Sequence, residues 1–251
     1  NTGINTLPYT TLIRSEMIIY CELGEKKRTI YDTYEAELRH YGDQFEEDEL
    51  EKNSMNVLDG LTRLRQSANA PALLKEGYEE TISAKIEAML EQLDSIISQH
   101  KVIIFSQFVG MLNLIRGRLD DRDIKYSYLT GKTVDRANEV DQFQKNDDRR
   151  VFLVSLKAGG TGLNLTAADY VFLMDPWWNP AVENQAIDRS YRIGQEKHVT
   201  AVRFIAIDTV EQKMMKLQQK KRDLAGSLIS TSTSKTIRIG KDDLLHLIGI
   251  D

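Results

Sequence analysis

Four short apolar runs constrain the fold of this chain more than any other feature. They are VIIF (102–105), VFLV (151–154), VFLM (171–174) and VRFIAI (202–207). Continuous apolar runs, unlike alternating ones, suit strands that are buried on both faces of a parallel sheet. Segments of helix length separate the runs, so we predict an α/β fold: an open parallel sheet with helices on both faces and right-handed crossovers.

The segments that flank these runs are predicted to be helical. Apolar residues recur at three- and four-residue steps from about Glu16 to Leu74, where Pro71 closes the pattern. After the last run, an apolar stripe from Val210 to Leu228 predicts another helix that packs across a neighbouring element. We therefore expect a linker with a helical appendage in residues 1–78, an α/β lobe in residues 79–207, and a helix with a tail in residues 208–251.

Composition excludes several classes of protein. The net charge of −5 gives no sign of the basic face that usually accompanies nucleic-acid binding. A single cysteine, Cys21, excludes an internal disulfide and a cysteine-based zinc site, and the four histidines lack metal-ligand spacing. No apolar run approaches the roughly 18 residues of a membrane span, and the polar N-terminus lacks the features of a signal peptide. We expect a soluble protein in a reducing, intracellular setting.

A glycine-rich loop follows the second apolar run. Open α/β sheets bind ligands beyond the carboxyl ends of their strands, so this is a place to look for chemistry. Gly159, Gly160 and Gly162 fall within four residues. Glycines there allow backbone N–H groups to approach an anion closely, although a tight strand-to-helix turn uses the same residues. Both interpretations stay open at this point.

The string TGKT (130–133) imitates the end of a Walker A loop. The complete pattern needs an earlier glycine at a position that Tyr126 occupies, inside a predicted strand, so we expect no phosphate-wrapping loop here. The chain also has no Asp-Glu pair after a buried strand. We conclude that it does not hold Mg-ATP in the usual way.

Two adjacent tryptophans lie between prolines in PWWNP (176–180), directly after the third apolar run. An exposed indole beside Asn179 would suit stacking on nucleic acid, whereas a buried one would be part of the core. The residues alone are compatible with either role.

The segment from Pro180 to Gly194 is predicted to be a helix, because proline favours a first turn and glycine a C-terminal cap. Gln185, Arg189 and Arg192 would lie on one stripe of it. Two guanidiniums one turn apart suit the charge that develops on a transferred γ-phosphoryl group. The alternative is a solvated face on which Glu183 and Asp188 pair with these arginines.

Together these strings closely resemble the second RecA-like lobe of the Snf2 family, which are ATP-dependent DNA translocases of helicase superfamily two. The strings that match the family's motifs IV, V and VI are FSQF (105–108), LTGKT (129–133), SLKAGGTGLNL (155–165), DPWWNP (175–180) and QAIDRSYRIGQ (185–195). The similarity extends to the helical protrusion in RLRQSANAP (63–71), to SAK (83–85) before the first strand, and to the brace helix in TVEQKM (209–214). The wording DPWWNPAVE is more similar to bacterial members.

The resemblance implies roles for individual residues. Arg189 and Arg192 would be the catalytic arginines that reach ATP on a first lobe, and Gly160, Gln185 and Asp188 would lie on the nucleotide side. The residues implied to contact DNA are Ser106, Gln107, Gly131, Lys132, Lys157, Thr161 and Trp178.

The resemblance also implies cofactors and partners. ATP and Mg²⁺ would be bound mainly by an N-terminal RecA-like lobe that this sequence lacks, so we expect the chain alone to be inactive and the intact protein to be a DNA-dependent ATPase on double-stranded DNA. A protein substrate on that DNA fits the family. Alternatives are a non-catalytic nucleic-acid or protein-binding module and a strand-separating superfamily 2 helicase. We expect an intracellular location: the cytoplasm or nucleoid in a bacterium and the nucleus in a eukaryote.

Overall fold

A parallel sheet forms the centre of the molecule in the computed structural model, which describes residues 14–44, 54–74, 77–78, 83–159, 163, 165–178, 180–188, 198–227, 243 and 247. The six strands are β1 (Arg14–Cys21), β2 (Val102–Ser106), β3 (Tyr126–Leu129), β4 (Val151–Ser155), β5 (Tyr170–Leu173) and β6 (Val199–Ala206). Their spatial order is β1-β6-β5-β2-β4-β3, and every pair is parallel. The strands predicted from the four apolar runs are confirmed.

Helices connect the strands and flank the sheet. They are α1 (Glu25–Asp43), α2 (Ser54–Asn69), α3 (Ala84–Ile96), α4 (Val109–Asp120), α5 (Arg136–Lys145), the short α6 (Leu156–Gly159), α7 (Pro180–Ile187) and α8 (Val210–Ser227), with a 3-10 turn at Pro71–Leu74. Ser83 and Asp135 cap α3 and α5, because each side chain accepts a backbone N–H from the first turn. Within the described ranges, no helix has the length and apolar content of a membrane span.

The first strand corrects the prediction of helix from Glu16 onward. Residues 14–21 form β1, which pairs with β6 at the edge of the sheet, so the helical prediction is wrong there and correct in α1 and α2. The sequence RSEMIIYC contains β-branched and aromatic residues that favour a strand, and pairing with β6 satisfies its backbone. Tyr20 on this edge strand is 57% exposed. The three-part division of the chain stays a prediction, but β1 places residues 14–21 in the sheet.

The sheet is covered by helices on both faces, as predicted. On one face Ile104 and Phe172 pack in a cluster with Met89 of α3 and Ile115 of α4. On the opposite face a second cluster lies under α5 and α7; its members include Phe105, Phe143, Phe152, Val154 and Ile187. Neighbouring strand residues alternate between the two clusters, since successive side chains point to opposite faces of a sheet.

A third apolar cluster joins the helical part of the chain to its last long helix. Tyr31 of α1 and Leu64 of α2 pack with Val210 and Met214 of α8, and all four are almost fully buried. The prediction that the last helix packs across another element is therefore confirmed. Helices α1, α2 and α8 form one packed unit beside the sheet.

A buried ion pair holds this unit against the sheet. The Lys85 ammonium at the start of α3 lies 2.6 Å from Oε1 of Glu211 in α8, and their side chains are 1% and 0% exposed. Lys85 also donates to the Met174 carbonyl at 2.8 Å and to the Asn69 side-chain oxygen at 3.0 Å. Glu211 accepts the backbone N–H of Ala206 at 3.0 Å. A buried pair contributes to stability only when its hydrogen-bonding groups are satisfied, and all three donors of Lys85 are used.

We predict that Lys85→Met lowers the free energy of unfolding by about 3–5 kcal/mol, because it leaves the Glu211 carboxylate buried without its counter-charge. Urea denaturation of the chain measures this. The control is Lys145→Met, which removes an exposed pair with Asp141 and should cost less than about 1 kcal/mol. The double variant Lys85→Met with Glu211→Leu should recover part of the loss. Equal losses for Lys85→Met and the control would contradict the assignment.

A second prediction concerns the sole cysteine. Cys21 is buried at the end of β1, and burial raises the pKa of its thiol to about 11; the Lys85 ammonium acts in the opposite direction and Glu211 in the same one. The thiol therefore stays protonated and shielded at neutral pH. We expect a chromogenic disulfide reagent to label the native chain far more slowly than the chain in denaturant. Equal rates in the two conditions would show that Cys21 is accessible.

Candidate functional site at the carboxyl edge of the sheet

The turn that follows β5, residues 174–178, is held by side chains from several distant elements; we call it the tryptophan turn. Lys85 of α3 donates to the Met174 carbonyl, and Arg65 of α2 donates to the Pro176 carbonyl at 2.7 Å. Two carbonyls of one turn thus each accept a hydrogen bond from a buried cationic side chain. The backbone of the tryptophan turn is fixed by helices that lie far from it in sequence.

Asp175 connects this turn to the loop after β2. Its carboxylate accepts the Ser106 hydroxyl at 2.5 Å and the Gln107 backbone N–H at 3.1 Å. Burial raises the pKa of the Asp175 carboxyl above its ordinary value, while the Arg65 guanidinium and the Ser106 hydroxyl act in the opposite direction. Ser106 itself is fully buried and also accepts the Phe108 N–H. The structure uses Ser106 to shape the loop; its contact with DNA stays a prediction.

Both backbone polar groups of Trp177 are hydrogen-bonded to side chains. Its N–H donates to Glu183 of α7 at 2.6 Å, and its carbonyl accepts the side-chain amide of Gln218 in α8. The indole packs against the sheet cluster that lies under α5 and α7. Trp178 is also half-buried and packs against the α1–α2–α8 cluster. Both tryptophans therefore contribute partly to cores, and the stacking of Trp178 on DNA stays a prediction.

Arg65 is the functional residue that sequence reasoning missed. It lies in α2 and is only 2% exposed, with its guanidinium 4.9 Å from the Trp178 ring and 5.6 Å from the Phe108 ring. It donates to the Gln107 side-chain oxygen at 3.0 Å as well as to Pro176. Its signals in the sequence are a cation between apolar positions of an amphipathic helix, which is too common to single out a residue, and a place in the string RLRQSANAP, whose resemblance gave Arg65 no role.

The loops after β3 and β4 present lysines. Lys132 and Lys157 are both exposed. The TGKT string forms a small turn in which the Thr133 hydroxyl accepts the Thr130 N–H at 2.9 Å and the Thr130 hydroxyl accepts the Lys132 N–H at 3.3 Å. Gly131 is exposed in this turn, and Tyr126 lies in β3 as predicted. The two threonine hydroxyls thus hydrogen-bond backbone N–H groups within the turn itself.

The start of the glycine-rich loop is fixed by packing and by an arginine. A Cβ atom at Gly159 would lie 3.0 Å from the Phe105 ring, so tight packing explains this glycine. Arg136 of α5 donates to the Ala158 carbonyl at 2.5 Å. Gly160 and Thr161 lie outside the described residues, so their predicted roles stay predictions.

Two predicted nucleotide-side residues lie at the end of α7: Gln185 is in its last turn and Asp188 directly follows it. Gln185 and Asp188 are exposed, whereas Arg189 and Arg192 lie outside the described residues. Glu183 faces inward and accepts the Nε–H of Arg203 in β6 at 3.1 Å.

Glu183 is therefore buried and is not part of a solvated, salt-bridged face of α7. That alternative interpretation of the helix is wrong for Glu183. Arg203 also pairs with Glu16 of β1 at 2.7 Å. Through Arg203, α7 is anchored to β6 and to the neighbouring edge strand β1.

Comparison with known proteins agrees with this geometry. Residues 84–194 match the helicase conserved C-terminal domain. The DNA repair protein RAD5 of Cryptococcus neoformans is 42% identical over 192 residues, which is 74% of this chain and 16% of that protein. The chain thus spans less than a fifth of this relative.

Solved structures match over nearly the whole chain. The SWI2/SNF2 ATPase C-terminal domain of Sulfolobus solfataricus is 29% identical with a TM-score of 0.72, covering 95% of this chain and 99% of that one. The ATPase core of the same organism, solved with double-stranded DNA, is 29% identical with a TM-score of 0.75 and is covered to 50% of its length.

We predict that Arg203→Met loosens the anchor of α7. It leaves the buried Glu183 carboxylate without its cation, which should cost about 3 kcal/mol or more and lower Tm by roughly 6–12 °C for a chain of this size. Calorimetry or circular dichroism measures the shift. The control is Arg118→Met, which removes an exposed arginine 4.0 Å from Asp121. Adding Glu183→Gln to Arg203→Met should restore part of the stability; no recovery would contradict the pairing.

Proposed function

Because this chain contains a helicase conserved C-terminal domain and has the fold of the second, RecA-like lobe of the Snf2 ATPases, we propose that it is one half of an ATP-driven motor that moves on double-stranded DNA. Its partner in the motor would be an N-terminal RecA-like lobe of the same protein. The observation that carries the proposal is the row of loops at the carboxyl edge of the sheet.

Four adjacent strands place the predicted DNA-contacting residues in one line. The order β5-β2-β4-β3 brings together the loops that hold Trp178, Gln107, Lys157 and Lys132. Neighbouring strands lie about 4.8 Å apart, so the line spans roughly 14 Å. Successive phosphates of one DNA strand follow each other at about 3.4 Å along the helix axis, so such a line suits a stretch of about four nucleotides. Exposed lysines at two of the four positions favour contact with phosphates.

The geometry of α7 supports the arginine assignment. Glu183 is held inward by Arg203, whereas Gln185 and Asp188 face solvent. Arg189 follows Gln185 by four residues in the sequence, the spacing that puts two side chains on one stripe of a helix. This stripe is where a nucleotide held by another lobe would be met.

ATP and Mg²⁺ would be bound mainly by the N-terminal lobe. ATP would supply the phosphoryl group, and Mg²⁺ would supply most of the positive charge that neutralises it. The closed TGKT turn supports holding the triphosphate elsewhere than on this chain, which by itself would be inactive. Arg189 and Arg192 would stabilise the charge that develops on the γ-phosphoryl group. Gly160, Gln185 and Asp188 would line the same cleft. Closing and opening of the cleft would move the row of loops along one DNA strand, displacing proteins bound there.

Two alternatives are separated from this proposal by direct assays. A strand-separating helicase would release the strands of a forked duplex in the presence of ATP, whereas a double-stranded DNA translocase would displace a third strand from a triplex without opening the duplex. A non-catalytic binding module would do neither.

We predict that Arg189→Ala and Arg192→Ala each lower DNA-stimulated ATP turnover of the full-length protein by roughly 10³-fold, because each removes a cation from the transferring phosphoryl group. DNA affinity should change little. Steady-state phosphate release and fluorescence anisotropy with a labelled duplex measure the two properties, with Arg118→Ala as control. Wild-type turnover in either variant would exclude that arginine from catalysis.

A further inference from the structure

We infer that Arg65 is a positioning residue: it fixes the positions of the two DNA-facing loops after β2 and β5, and through them it controls the affinity of the lobe for DNA. The inference rests on the proposed function and deepens it, because it assigns control of DNA affinity to a side chain in α2, which belongs to the helical unit beside the sheet. Arg65 is buried, so it acts through other residues and does not touch DNA.

A single guanidinium spans the gap between the two loops. Nη1 donates to the side chain of Gln107, in the loop after β2, and Nη2 donates to the carbonyl of Pro176, in the tryptophan turn. The planar fork of an arginine has a fixed geometry, so these two bonds fix the separation of the loops. A lysine at this position would present one point charge and would not bridge both acceptors in the same way.

The same guanidinium also sets the aromatic side chains of the two loops. It lies 4.9 Å from the ring of Trp178 and 5.6 Å from that of Phe108. A cation over the face of an aromatic ring is attracted by the electron density of the ring, most strongly for tryptophan. Arg65 therefore orients Trp178 as well as Gln107, and both are residues implied to contact DNA.

Stability alone is a poor reason for this arrangement. A buried arginine has to be compensated, and Asp175, the carboxylate that most favours its charged form, is also engaged by Ser106 and Gln107. Nε of Arg65 and Nε2 of Gln107 are buried donors that have no acceptor in the described part of the chain. Buried donors without acceptors reduce stability, and apolar side chains would fill the same volume without this cost. Placement of the loops accounts for the guanidinium.

Helix α2 connects Arg65 to the rest of the helical unit. Leu61 and Leu64 of α2 pack with α1 and α8, so the unit carries Arg65 with it. A shift of this unit relative to the sheet would move both DNA-facing loops at once. Arg65 thus couples the position of the helical unit to the DNA affinity of the lobe.

The test uses the full-length protein and compares Arg65→Met and Arg65→Lys with the control Arg63→Met. Arg63 lies on the same helix, but its side chain is 53% exposed and pairs with Asp59 one turn away. Arg65→Met removes both hydrogen bonds to the loops, and Arg65→Lys cannot bridge both acceptors. Each should raise the duplex concentration that gives half-maximal ATPase by about tenfold or more. ATP turnover at saturating DNA should stay within about twofold of wild type for all three variants, since Arg189 and Arg192 are untouched.

A role in stability or net charge alone would give different results. If Arg65 served only as a buried charge, Arg65→Lys would restore wild-type DNA affinity, and that restoration would overturn the inference. If Arg65→Met proves unfolded by circular dichroism, Arg65→Lys carries the same comparison. A fall in turnover at saturating DNA without a change in the half-saturating concentration would likewise overturn it.

A double-mutant cycle tests the route through Gln107. Arg65→Lys should weaken DNA binding by less than about threefold in a Gln107→Ala background, because its main target is then already lost. Full additivity would overturn the inference. Wild-type protein without any DNA-stimulated ATPase would instead overturn the proposed function, so the two failures are distinguishable.

Discussion

The ammonium group of Lys85 is the point on which the arrangement of the chain depends. It binds the end of α2 through Asn69, the tryptophan turn through Met174, and α8 through Glu211. These partners lie 16, 89 and 126 residues away along the chain. Each of them alone would leave a buried charge unsatisfied, and together they use every donor it has. The sequence strings SAK and TVEQKM, which look like separate family elements, therefore meet as one ion pair.

The tryptophan turn extends this arrangement to the functional edge. Arg65 and Gln218 reach it from helices of the helical unit, and Glu183 reaches it from α7. The turn is thus the place where the helical unit, the sheet and α7 are in mutual contact. Fixed backbone carbonyls hold the geometry of this turn.

Much of the sheet could be predicted from the sequence, because strands buried on both faces read as unbroken apolar runs. The first strand could not, since RSEMIIYC opens with three polar residues and carries only a short apolar run shortly before the helical pattern of α1. At the site, residue types and loop positions were predictable, whereas partners were not. The sequence did not indicate that Ser106 holds Asp175, or that Glu183, considered for a solvated face, pairs with Arg203. Such contacts join residues far apart in the chain, and local patterns carry no information about them.

The pairing of β1 with β6 also sets the order in which the lobe is completed during synthesis. Ser15 contacts Thr200, which lies 185 residues later. At about 5–20 residues per second, a ribosome takes roughly 10–40 s to make the intervening chain. For that time an apolar strand has emerged without its permanent neighbour, and chaperones have the opportunity to bind it. The last strand added to the sheet is therefore the first one made.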